Sequence, residues 1–136
     1  MAKGIVVTPE NTMWVHDFAE PLYRTIGEVI GTDIVEQIHP QALKAPFVMI
    51  GDEEALLRKD PQINLLGSFL YGSIFHGHPI CGTVVFMAEG VNEYGEGEWF
   101  GLTDSQISDL TKYFVAASFG RVQEVEVNKI EKQNLS

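Results

Sequence analysis

The chain has 136 residues, nineteen Asp plus Glu against nine Lys plus Arg, and a formal charge of −10, a length suited to one domain. Hydrophobic residues at 45% exclude a disordered body, and the scarcity of Lys and Arg excludes direct binding to a nucleic-acid backbone, which needs clustered cations. Charged residues make up only 21%, below the usual ~25%, so the acidity is a shortage of cations rather than an excess of carboxylates.

From the N-terminus, Lys3–Thr8 is short and β-branched, Pro9-Glu10-Asn11 is turn chemistry, and Thr12–Asp17 reads as a second strand. An opening β-hairpin follows. Pro21 suits the first turn of a helix in which Leu22, Ile26, Val29 and Ile30 form one apolar stripe and Gly31 the cap. Alternation over Ile34–His39 predicts a strand ended by Pro40, and Phe47–Ile50 a further strand closing at Gly51-Asp52. Glu53–Arg58 reads as a helical turn or the return arm of a hairpin, with Asp60-Pro61 breaking the chain after it.

Asn64–Gly72, apolar and punctuated by glycine, predicts a short helix or turn packed on the core. Ile80–Ala88 is the strongest strand, and its near-continuous apolarity predicts an interior position. Glu89–Gly101 reads as an acidic surface loop. Thr103 and Gln106 then form a capping box, with Ile107, Leu110, Phe114 and Ala117 as a buried stripe and Gly120 at its end. The expected fold is α+β: a mostly antiparallel sheet of about five strands with two main helices on one face. It occupies residues 1–120 as a single domain, and 121–136 form a polar tail or an extra edge strand through Val122, Val125 and Val127.

Cys81 is the only cysteine, so no intrachain disulfide forms. Ile5–Val7 is too short for a signal-peptide core, and no run nears the ~18 apolar residues of a membrane span. A soluble cytoplasmic protein without membrane contact is expected.

Four segments taken together carry a family likeness: Ile5–Glu10; Ile26–Gly31 running into Ile34-Val35-Glu36; Asn64–Gly67 through Tyr71-Gly72; and Ile80–Val85 before Leu102-Thr103-Asp104. Over about residues 4–115 the chain resembles domain-of-unknown-function family 3846, found mainly in phages, prophages and other mobile elements. The resemblance brings no catalytic residues. It implies a small accessory protein of a mobile element, acting on host machinery such as antiphage defence.

Chemistry-bearing residues are few. His76, His78 and Cys81 offer three zinc-type ligands, but H-x-H-x-x-C is not a standard finger, and a fourth would have to come from His16, His39 or a Glu. As a Cys–His nucleophile pair they are weaker still, because a strand cysteine in apolar surroundings is usually inert. No catalytic set, metal or cofactor is therefore assigned. Phosphate loops are absent, and the glutamates at 89, 93, 96 and 98 match no calcium loop, which leaves a solvated acidic loop. Asp52-Glu53-Glu54 reads as solubilising.

Arg24, Arg58 and Lys59 are among the few cations before the tail, and a pocket containing them would suit something small and anionic. Tyr23, Arg24, Arg58, Asn64, Tyr71, His76 and His78 are the candidate ligand-binding residues, with tyrosine rings for stacking and Arg or His for charge-assisted hydrogen bonds. Trp99-Phe100 beside the acidic loop reads as an interface anchor. The leading expectation is a counter-defence protein that sequesters a small nucleotide-derived host signal. The alternatives are an acidic inhibitor of a host defence or nucleic-acid-binding protein, in the manner of a DNA mimic, and a small metal-assisted hydrolase using His76, His78 and Cys81. Self-association into a homo-oligomer through an Ile/Val-rich edge or the tail is also expected.

Overall fold

The computed structural model describes residues 1–126. β1 (Ala2–Val7) and β2 (Thr12–Phe18) form the opening hairpin, in a register that pairs Val6 with Trp14 and Val7 with Met13. α1 (Leu22–Ile30) stops at Gly31, whose left-handed φ of 92° lets its N–H reach the Gly27 carbonyl. Then come β3 (Val35–Ile38), β4 (Phe47–Asp52), a 3-10 turn at Ala55–Leu57, α2 (Leu65–Tyr71) and the short α3 (Ser73–His76). β5 (Val84–Val91), β6 (Gly97–Phe100), α4 (Asp104–Ala117) and β7 (Gln123–Glu124) complete the described chain.

One sheet runs β3-β4-β5-β1-β2-β7, and β6 pairs with the far end of β5, beyond the reach of β1. All pairings are antiparallel except β2–β7. The α+β class is as expected, with seven strands among the described residues instead of about five. The helices, however, are divided between the two faces. Val84, Phe86 and Ala88 of β5 join Leu66, Leu70, Leu110 and Phe114 in one core. Val85 and Met87 turn to the other face and pack with Leu22 and Ile26 of α1. Side chains alternate along a strand, so a run that is apolar at every position needs cover on both sides. Burying each such side chain contributes roughly 1.5–3 kcal/mol.

Two further expectations are corrected. Glu89–Gly101 is not an open loop: β5 continues to Val91 and returns as β6 through a turn in which Asn92 accepts from the N–H groups of Tyr94 and Glu96. Backbone pairing overrides the glycine and glutamate content there. Residues 80–83, expected as strand, form an approach segment instead, bridged at Ile63–Cys81 and turned by Gly82 at φ 83°. In the tail, Val122 is buried and Gln123-Glu124 pair with Thr12-Met13. Val127 and the rest of it lie outside the described residues.

Candidate functional site

α1 buries Leu22 and Ile26 on the sheet, so Tyr23, Arg24 and Glu28 come to its outer side, with Gly27 and Gly31 one turn apart. The turn after the helix adds Thr32 and Asp33, and the chain leaving the 3-10 turn adds Arg58. Together they line an open cavity of about 610 Å³, within the size range of small-molecule sites. Tyr23, Arg24 and Arg58, drawn from two distant segments, are thus brought together. The Tyr23 hydroxyl donates to the Asp33 carbonyl at 3.2 Å, which orients the ring.

Arg58 is not a free cation. Its Nε donates to Asp52 Oδ2 at 2.9 Å, and its Nη2 donates to Asp52 Oδ1 at 3.2 Å and to Thr32 Oγ1 at 3.0 Å. Burial pushes the Asp52 carboxyl up, but the Arg58 hydrogen bonds, the Glu54 N–H and the Arg58 charge outweigh it and hold the group below the usual carboxylate range. Among the described residues, Nη1 of Arg58 makes no hydrogen bond and Arg24 has no ion-pair partner, so both remain available. Glu28 and Asp33 place carboxylates in the same cavity, so its charge is mixed. Arginines can clasp an anionic group while carboxylates accept from hydroxyls or amino groups, and the tyrosine ring offers a stacking face.

The other candidates lie elsewhere. Asn64 has no exposed surface: its Oδ1 caps α2 by accepting from Gly67 N–H at 2.9 Å, and its Nδ2 donates to the carbonyls of Val7 and Gly82. A side chain so occupied fixes the fold and does not meet a ligand. Tyr71 and His76 stack at 4.4 Å between ring centres, and the Tyr71 hydroxyl lies 3.2 Å from His78 Nε2. This aromatic cluster is formed by α2, α3 and the segment that follows, apart from the α1 cavity. His78 does meet Cys81 and Glu36, but around a crevice of only about 50 Å³. Burial first, then the neighbouring Glu53 and Asp52 charges, push the Glu36 carboxyl upward against the pull of His78. Burial also pushes the Cys81 thiol up, away from the thiolate a nucleophile needs. Among the described residues no three His, Cys, Asp or Glu side chains are grouped to hold a metal ion. Lys59 lies outside the α1 cavity lining.

Gly27, Glu28, Thr32 and Asp33 were not singled out from sequence. Helical spacing from Tyr23 and Arg24 carries the signal for Gly27 and Glu28, four residues on. Tyr23 also borders a second cavity of about 590 Å³ with Glu20, Gln37, Glu89, Glu98 and Trp99. There the Trp99 indole donates to Gln37, whose amide donates to Glu89 at 2.7 Å. Trp99 is partly buried against the α1 core, which limits the exposed anchor expected of it.

The fold is a two-sided α+β sheet with an open mixed-charge cleft along one helix. The chain belongs to the family described as Domain of unknown function (DUF3846), whose model matches residues 2–115. No curated protein and no solved structure matches it. No helix among the described residues is long and apolar enough to cross a membrane.

Proposed function

We propose that this protein works by binding and that the α1 cleft holds a small nucleotide-derived ligand. What supports this is the convergence of Tyr23, Arg24 and Arg58 on one cavity of ligand size. In such a complex Arg24 and the free Nη1 of Arg58 clasp a phosphate, Asp33 and Glu28 accept from ribose hydroxyls or a base amino group, and Tyr23 stacks on the base. Sequestration of a host signal in a mobile-element setting is the role that the family resemblance implies for such a binder. A panel of nucleotides and nucleotide signals, screened by thermal denaturation, tests it: at least one member raises the Tm by mass action, and Arg24→Ala removes the shift. A panel with no active member at saturating concentration overturns it.

A second reading is favoured by the adjoining cavity. Glu20, Glu89 and Glu98 face it beside Trp99, with no Lys or Arg in its lining, which suits a basic side chain of a protein target. Salt-sensitive capture of a basic host protein, lost on Glu98→Lys but not on Arg24→Ala, is its test.

A further inference from the structure

The chain carries a formal charge of −10, yet Pro61–Ala88 contains no Asp, Glu, Lys or Arg. This stretch supplies α2 and α3. α2 turns Leu66 and Leu70 into the core, which leaves Leu65 and Phe69, one turn apart, more than half exposed. α3 buries none of its residues. Its Ile74 and Phe75 are 88% and 78% exposed, and they add nothing to the core. Left-handed glycines hold the turn in place at either end, Gly72 at φ 84° and Gly77 at φ 84°. A Cβ on Gly72 would also meet the side-chain amide of Gln41, so the turn that projects Ile74 and Phe75 depends on that glycine.

We infer that the α2–α3 corner is where two copies of this chain pair, each presenting the same patch across a two-fold axis. The lack of charge on this patch and its area favour a second copy as the occupant. Two bodies of −10 repel wherever acidic surfaces meet, and the Pro61–Ala88 segment brings no carboxylate of its own to the contact. A partner recruited by charge has nothing here to recognise. The area also fits. Four large apolar side chains at this exposure offer on the order of 500 Å² per copy, about 1,000 Å² over the two copies, which meets the lower bound of a specific interface. The sheet edges are poorer candidates: β3 is short and carries Glu36, and β7 among the described residues is Gln123-Glu124, with a carboxylate of its own. α1 packs on the opposite face of the sheet, so pairing leaves both ligand clefts open and stands apart from the nucleotide proposal.

Sedimentation of the full chain across a concentration series tests this. The wild type sediments at about twice the 15.1 kDa chain mass. Ile74→Glu with Phe75→Glu weakens pairing by about 100-fold or more, since buried carboxylates replace two central anchors. Phe119→Glu, at an exposed phenylalanine elsewhere, leaves pairing intact. If the glutamate pair disturbs the fold by circular dichroism, Ile74→Ser with Phe75→Ser replaces it and again yields monomer. A wild type that stays monomeric at high micromolar concentration overturns the inference, even if it then floats with lipid vesicles. So does a glutamate or serine pair that dimerises like the wild type.

Discussion

Asp52 and Arg58 are joined by two hydrogen bonds, Nε to Oδ2 at 2.9 Å and Nη2 to Oδ1 at 3.2 Å, and this pairing sets how much positive charge the α1 cleft keeps. It ties the end of β4 to the chain after the 3-10 turn and, through Thr32, to the end of α1. Because the Asp52 carboxyl is depressed in the fold, its contribution is complete above the ordinary carboxylate pKa and is lost as pH falls through the lowered value. Asp52→Asn therefore lowers the Tm by a few degrees at neutral pH, and the gap to wild type closes as the solution is acidified below about pH 4. Thermal melts of both proteins along a pH series check this; a gap that widens on acidification contradicts it.

Asn64 is a structural residue, and its substitution is expected to be among the more damaging. Asn64→Ala removes the α2 cap and leaves the buried carbonyls of Val7 and Gly82 without that donor, costing about 2–4 kcal/mol. Asn64→Asp keeps the cap acceptor but faces both carbonyls with a carboxylate, and is no better tolerated. Chemical denaturation measures both. Near-neutral effects would mean that Asn64 serves the surface instead.

Features set by local chemistry were legible in the sequence. The Gly31 cap, the Thr103–Gln106 capping box and the opening hairpin depend on a few neighbouring residues, and each appears where the pattern put it. What escaped depends on contacts distant in sequence. The pairing of Ile5 with Phe86 places β5 in mid-sheet, and only then does its double-sided apolarity require helices on both faces. Tyr23, Arg24 and Arg58 were visible as scarce chemistry, but the tie of Arg58 to Asp52 rests on the partial burial of that carboxylate, which composition does not show. Asn64 looked like a ligand contact because its cap and its burial are both tertiary facts.

Gly27 is expected to resist even alanine, despite alanine's better helix propensity. A Cβ there would lie 2.7 Å from the Thr32 carbonyl oxygen, a backbone atom with little room to give. Gly27→Ala costs roughly 1–3 kcal/mol by forcing α1 and the following turn apart. Since Gly27 and Thr32 both line the cleft, ligand affinity falls with stability. Denaturation and binding measured on the same sample check the pair of effects, and a stabilised variant contradicts the close approach.

Cys81 is expected to be inert in the folded protein. Its thiol is buried and pushed upward by that burial, so a thiol reagent in mildly alkaline buffer modifies it only as fast as the chain opens. Full reactivity in denaturant, with slow reaction in the native state, is the expected pattern. Rapid native labelling would revive the Cys81–His78 nucleophile.

The central claim is that the α1 cleft binds a small nucleotide-like ligand through Arg24. Titration calorimetry of that ligand into wild type and Arg24→Ala tests it most directly, because Arg24 has no ion-pair partner among the described residues and its loss leaves the fold unchanged. Saturable binding near one ligand per chain, weakened by about 10–100-fold in Arg24→Ala at equal Tm, is the predicted result. Equal affinity in the two proteins, or no saturable heat from any nucleotide, would contradict it.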